Sequence, residues 1–224
     1  MKELEDKLQY TFKNKELLVN ALTHSSYANE NRTNGAVSYE RLEFLGDSIL
    51  GFITAKYLYN SKPMLPEGKM TRLRAELVCE QSLHSVAIKL GLGKYMRMGN
   101  GESKNGGRSR VSILADTVES VIAAIFLDGG LEPAEKFVME MVLSPETIAA
   151  NHAEDHKSRL QELVQQKSGQ ILEYVQTGES GPDHAKVFEA AVRLNGDIIG
   201  SGSGRTKKEA EQAAACEALK KLSK

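Results

Sequence analysis

The chain of 224 residues has no surplus of positive charge: 29 Lys and Arg stand against 30 Asp and Glu, a formal net charge of −1. That argues against a bulk polycation, so any grip on a phosphate backbone must come from a local patch. Cysteine is scarce. Cys79 and Cys216 lie far apart in no paired spacing, which speaks against a disulfide scaffold and a thiolate zinc site. Long apolar runs are missing too: the longest, Val121–Leu127, falls far short of the ~20 residues a membrane-spanning helix needs. No fixed-period repeat or low-complexity tract is present, nor are paired aromatics of the kind that stack single-stranded bases. The charged opening MKELEDKL is unlike a signal peptide. The expectation is a cytoplasmic protein with no membrane partner and no small-molecule organic cofactor.

Apolar residues at 41% and charged residues at 26% suit one medium globular domain or two small ones. Two textures divide the chain. Residues 1–143 carry Leu, Ile and Val at helical spacing, and predict helices over Lys15–Thr23, Tyr39–Tyr59, Gly68–Glu76, Glu80–Leu90, Ser112–Leu127 and Pro133–Met141. Asn34–Gly35 is a turn signal, and Ser38 is the expected N-cap of the second of these helices. Residues 144–154 are polar and read as a linker. Residues 155–224 read as a helix, three short strands and an Ala-rich helix, an α-β-β-β-α module.

The chemistry concentrates in SYERLEFLGDSILGFI. Glu40, Glu43 and Asp47 fall within about 60° of one another on a helical wheel. Leu42, Leu45, Ile49, Phe52 and Ile53 are the expected core stripe on the other side. SILADTVESVIAAIFL repeats the pattern, with Asp116 and Glu119 on one face and Leu114, Val118, Val121, Ile122 and Ile125 opposite. The ordinary alternative is a solvated outer face, and Glu40 also suits the positive end of a helix dipole. Against it, apart from Arg41 beside Glu40, neither helix has a Lys or Arg placed to balance its acids, and both helices are otherwise apolar enough to be interior. Like charges sharing a face are unfavourable unless a cation neutralises them. A metal site shared by the two helices accounts for the pattern. All-carboxylate ligands with no histidine at ligand spacing suit Mg²⁺, with Mn²⁺ as a possible substitute, and such ions serve phosphate chemistry by polarising oxygens and activating water.

Other features remain open at this level. Gly46 sits mid-helix, where it costs ~1 kcal/mol relative to Ala, so another backbone should pack there, either from this chain or from a second subunit. Glu67 reads as a capping acid or as an auxiliary group near the metals. The glycine-rich stretch Gly99–Gly107 could bring Lys104, Arg108 and Arg110 toward phosphates, but matches neither a P-loop nor a dinucleotide fingerprint.

In the second region Gln161 and Gln165 share a polar helix face, Gly181–His184 forms a loop, and Asn195-Gly196 marks a tight hairpin. Thr206 and Glu209 form a capping box. Arg205, Lys207 and Lys208 crowd a helix N-terminus, where the dipole disfavours cations, so a phosphate clamp is the better reading. Three separated contact points suit shape recognition of duplex RNA across its wide minor groove.

ERLEFLGDS and ADTVES resemble the acidic motifs of the ribonuclease III family. HKSRLQELVQ, GPDHAKVF and GSGRTKKEAEQAAA resemble the double-stranded RNA-binding domain that follows in its bacterial members. The resemblance implies a mostly α endonuclease domain followed by an α+β double-stranded RNA-binding domain. It implies Glu43, Asp116 and Glu119 as metal ligands, Asp47 and Glu119 as catalytic residues, and Glu40 and Glu67 as auxiliary acids. Gln161, Gln165, His184, Lys207 and Lys208 would contact RNA. The family further implies a Mg²⁺-dependent homodimer that leaves 5′-phosphate and 3′-hydroxyl ends and processes ribosomal, messenger and transfer RNA precursors. A dimer also suits a substrate with two strands, one acidic cluster for each. The competing readings are a non-catalytic duplex-binding regulator and a helical phosphohydrolase of small molecules.

Overall fold

The computed structural model of the chain describes residues 1–224 except Arg32, Asn34, Lys62, Glu146, 149–155, 166–168, 183–185, 223–224 and the side chain of Glu162. The chain divides into two compact units, Met1–Ile148 and Ala149–Lys224.

The first unit is helical: α1 (Lys2–Leu8), α2 (Lys15–Ala21), α3 (Ser25–Glu30), α4 (Glu40–Tyr59), α5 (Glu67–Leu77), α6 (Glu80–Leu90), α7 (Asn100–Lys104), α8 (Val111–Gly129) and α9 (Leu131–Phe137), the last continuing into a π-helical turn over Val138–Val142. At its centre α8 buries Leu114, Val118, Val121, Ile122 and Ile125, the whole expected stripe, against α4 and α6. Ile49 and Ile53 of α4 are buried as expected, and Leu42 and Leu45 are partly so. Phe52 is not a core residue: it is 54% exposed, because the core-facing arc of α4 runs through Leu50 and Ile53 and leaves Phe52 on the outer side. Among the described residues, no helix is long and apolar enough to cross a membrane.

The start of α4 also departs from the sequence expectation. Tyr39, not Ser38, takes the cap position, and its carbonyl accepts the N–H groups of Leu42 (2.7 Å) and Glu43 (2.9 Å). The buried Tyr39 ring and the bond from its N–H to the Thr23 carbonyl (2.9 Å) fix the chain there. Ser38 Oγ instead donates to Glu40 at 2.9 Å.

The second unit runs α10 (His156–Gln165), β1 (Leu172–Ser180), β2 (Val187–Leu194), β3 (Asp197–Gly204) and α11 (Lys207–Leu222). The strands form one antiparallel sheet in the order β1-β2-β3. Asn195 and Gly196, both at positive φ, make the β2–β3 turn, as the Asn-Gly pair requires. Leu160 and Val164 of α10, Val192 of β2 and Ala214, Ala215 and Ala218 of α11 form its core. Small residues let α11 lie close on β3: a Cβ added to Gly202 would stand 2.4 Å from the Ala214 nitrogen.

Candidate active site and duplex-binding surface

Gly46 explains how the two acidic helices meet. A Cβ there would stand 1.9 Å from the carbonyl oxygen of Glu119. The packing partner is therefore within this chain: α4 and α8 touch backbone to backbone at the level of the acids. Glu43 lies one turn before Gly46, and Asp116 one turn before Glu119. The contact lets Glu43, Asp116 and Glu119 offer carboxylate oxygens that all lie within 4.8 Å of one another.

Burial raises the proton affinity of all three. Glu119 is pushed up to about 8, first by burial and then by the charges of Asp47, Asp116 and Glu43. Glu43 is raised by burial and by Asp116, Glu40 and Asp47. Asp116 is raised by burial and by Glu80, against a lowering bond from Tyr39 and the nearby His24. Among the described residues none of the three forms an ion pair with Lys or Arg. Half-buried carboxylates facing one another without a balancing cation fit a hard divalent metal.

The other predicted acids sit differently. Asp47 is exposed on α4, one turn beyond Glu43, and is the strongest charge acting on Glu119. Glu40 is exposed at the start of α4 and adds to the field on Glu43. Glu67 stands outside the trio: it opens α5, accepts a bond from Thr71 Oγ1 at 2.8 Å and lines a groove with Phe52, Tyr59 and Arg74. It does not cap α5, whose cap position is Pro66.

Three neighbours escaped the sequence reading. Tyr39 is buried with its hydroxyl 3.4 Å from Asp116 Oδ2, His24 meets the Tyr39 ring edge-on, and Glu80 opens α6 near Asp116. An aromatic in the cap position of an acidic helix was the available signal for Tyr39. The glycine-rich stretch offers less to phosphates than its composition suggested. Arg108 donates to the carbonyls of Gly93 (2.9 Å) and Met96 (2.7 Å), and Arg110 pairs with Glu102 (2.7 Å). Lys104 closes α7 and is exposed.

In the second unit Gln161 and Gln165 are exposed on α10, and Arg205, Lys207 and Lys208 are exposed at the start of α11. These three cations enter no ion pair among the described residues. The capping box forms in modified shape: Thr206 Oγ1 accepts the Glu209 N–H (3.1 Å), while the Glu209 carboxylate accepts that of Arg205 (2.8 Å). Lys186 and Lys207 flank the Phe188 ring, each 6.0 Å from its centroid, and add an unanticipated lysine to the patch. His184 lies outside the described residues.

Comparison with known proteins gives the same division. Residues 14–146 match the family described as Ribonuclease-III-like, and residues 156–222 match the double-stranded RNA binding motif. Ribonuclease 3 of Caldanaerobacter subterraneus is 48% identical over 221 residues, covering 98% of this chain and 96% of that protein. Ribonuclease 3 of Listeria monocytogenes is 47% identical over 222 residues with the same coverage. The solved nuclease domain of ribonuclease III from Campylobacter jejuni, described with a region involved in dimer formation, is 39% identical. It superposes with a TM-score of 0.59 over 62% of this chain and 94% of that one. Two matched regions in one order and relatives matched along nearly their whole length leave a single conclusion: the chain belongs to the ribonuclease III family, as a double-stranded RNA endonuclease with a nuclease domain followed by a double-stranded RNA-binding domain.

Proposed function

We propose that the chain cleaves duplex RNA with Mg²⁺, or Mn²⁺ in its place, leaving 5′-phosphate and 3′-hydroxyl ends, and acts as a cytoplasmic homodimer on ribosomal RNA precursors and on structured messenger and transfer RNA precursors. The observation that carries the metal reading is the convergence of Glu43, Asp116 and Glu119 within 4.8 Å without a balancing cation. A divalent ion held there would neutralise these acids and polarise a phosphodiester oxygen. Asp47, exposed beside Glu119, is placed to orient the attacking water and take its proton. Glu119 serves both as ligand and in proton management. Glu40 adds negative field at the rim, and Glu67 is an auxiliary acid from the α4–α5 groove.

Residues 1–143 carry the chemistry and residues 155–224 hold the duplex. Gln161 and Gln165 suit hydroxyl and base-edge contacts in the minor groove, and Arg205, Lys207 and Lys208 suit the flanking phosphates. His184 belongs to the same set by its motif alone.

A second copy is supported by the outer stripe of α4 and by the segment that leads from α4 to α5. Phe44 is 78% exposed, Phe52 54%, Tyr59 76% and Met64 90%. Beside them α4 and α5 form a groove of about 360 Å³ lined by Ala55, Leu58 and Met70 as well. Exposed large apolar side chains of this kind favour an interface over a monomer's outer surface.

Substitution Glu119→Gln tests the reading. It abolishes cleavage of a duplex in Mg²⁺ while duplex retention in Ca²⁺ survives; cleavage at the normal rate would overturn the proposal. A regulator that merely binds RNA would show no cleavage before the substitution either.

A further inference from the structure

We propose that Tyr39 is the positioning residue of the metal site, holding the Asp116 carboxylate in register with Glu43. The inference rests on the reading of Glu43, Asp116 and Glu119 as ligands of a divalent ion. No other residue described at the site reaches both acid-bearing helices in this way. The Tyr39 carbonyl accepts the Glu43 N–H at 2.9 Å, and the Tyr39 hydroxyl lies 3.4 Å from Asp116 Oδ2. Its carbonyl also faces Ser120 Oγ of α8 at 3.5 Å, and its N–H bonds to the Thr23 carbonyl at 2.9 Å. The ring is buried and meets His24 edge-on with centroids 5.7 Å apart. The Tyr39 backbone is thus tied to α4, α8 and Thr23, its ring is held against His24, and its hydroxyl faces a carboxylate.

The chemistry supports a directional role. A buried tyrosine hydroxyl needs a partner. A phenol hydroxyl that faces a carboxylate can only donate to it, because the carboxylate carries no proton to give. A carboxylate has lone pairs enough to accept that bond and still bind a cation. Donors behind metal ligands orient them and tune their basicity, and losing one typically costs 10–100-fold in metal affinity or activity. At 3.4 Å the contact is longer than an ordinary hydroxyl–carboxylate bond, so the lower end of that range is expected here.

The test compares the full-length chain, Tyr39→Phe and Glu119→Gln by Mn²⁺ titration at a temperature where all are folded, followed by paramagnetic resonance. Tyr39→Phe weakens the tight site about tenfold, and the Mg²⁺ concentration for half-maximal cleavage rises by a similar factor. The KM for duplex RNA stays unchanged, and kcat at saturating Mg²⁺ recovers to within about threefold. Mn²⁺ affinity within about twofold of the parent chain would overturn the proposal. So would a lowered metal-free melting temperature and raised KM with Mn²⁺ affinity intact, since that marks a packing role. If the parent chain shows no tight site sensitive to Glu119→Gln, the metal reading itself falls. If that site is present and Tyr39→Phe keeps it, only the role of Tyr39 falls.

Discussion

Gly46 shows how much one absent methyl group can set. Its Cβ would penetrate the Glu119 backbone at 1.9 Å, and neither backbone has a soft way to yield. Gly46→Ala gains helix propensity of about 1 kcal/mol but meets an overpacking cost of about 1–3 kcal/mol. We expect a net loss of stability of up to about 2 kcal/mol by urea denaturation. Cleavage should fall far more than stability, because the separation of α4 and α8 also sets the spacing of the acids. A variant as active as the parent would show that this contact does not gauge the site. The sequence exposed the need for a close neighbour at Gly46 but not its identity, since a pairwise contact over more than seventy residues leaves no local trace.

Glu119 supplies a pH prediction. Its folded-state proton affinity is raised, from 4.5 to about 8 without metal. Such a group contributes stability below its unfolded value, and that contribution is lost as pH rises toward 8. The metal-free chain should therefore melt lower at about pH 8.5 than at about pH 6. Acids held down by their partners, such as Glu5 and Glu217, act at lower pH and do not mask the effect. A divalent ion must displace the Glu119 proton, so its affinity should rise about tenfold per pH unit below 8. Calorimetric titration across this range checks both the slope and the proton release; a flat profile would remove Glu119 from the ligand set.

At the level of elements, segments with an apolar period were legible, the seven-residue α2 and α9 among them, whereas α1, α3 and α7 were not. The predicted span Glu80–Leu90 coincides with α6, and α8 fits the apolar period of its sequence closely. The helices α1, α3 and α7 span five to seven residues, each with too few apolar residues for a period to stand out; α1 is held by Leu4 and Leu8 in the larger core, whereas α7 buries no residue. Arg108 misled for a related reason: its pairing with the carbonyls of Gly93 and Met96 depends on how the loop folds back, which composition does not encode. The helix α11 was legible down to its cap, because Thr206 and Glu209 act within one turn. Its cations oppose the helix dipole, which gives an unusual combination of signs. Replacing Lys207 and Lys208 by Ala should leave the melting temperature unchanged or raise it, while duplex affinity falls and the salt dependence of binding loses a slope of about 1 per lost contact. Reduced stability with unchanged salt dependence would assign these lysines to the fold instead.

For the molecule as a whole, a net charge of −1 conceals an acidic cluster in one unit and a basic helix end in the other. On the proposed reading the cluster would repel RNA phosphates until divalent ions reversed its sign. Assembly is the other whole-molecule property. Phe44, 78% exposed on α4, projects from the same turn as Glu43. Phe44→Asp should convert a dimer to a monomer in sedimentation velocity at micromolar concentration and reduce cutting of both strands, with Mn²⁺ binding retained. A parent chain that sediments as a monomer would refute the shared surface.

The backbone contact between α4 and α8 carries one last consequence. Side chains can be repacked, and cores tolerate exchanges that keep their volume. Two main chains already in contact cannot move closer, so at Gly46 the width of the acidic cleft is limited by peptide groups rather than by any particular core residue. The apolar interior is therefore free to drift, through exchanges among Leu, Ile and Val that adjust heat tolerance, while the distance between the two carboxylate pairs stays constant. Durability and chemistry can be altered separately in this scaffold, and a thermal variant made by repacking around Ile122 should keep the cation preference of its parent.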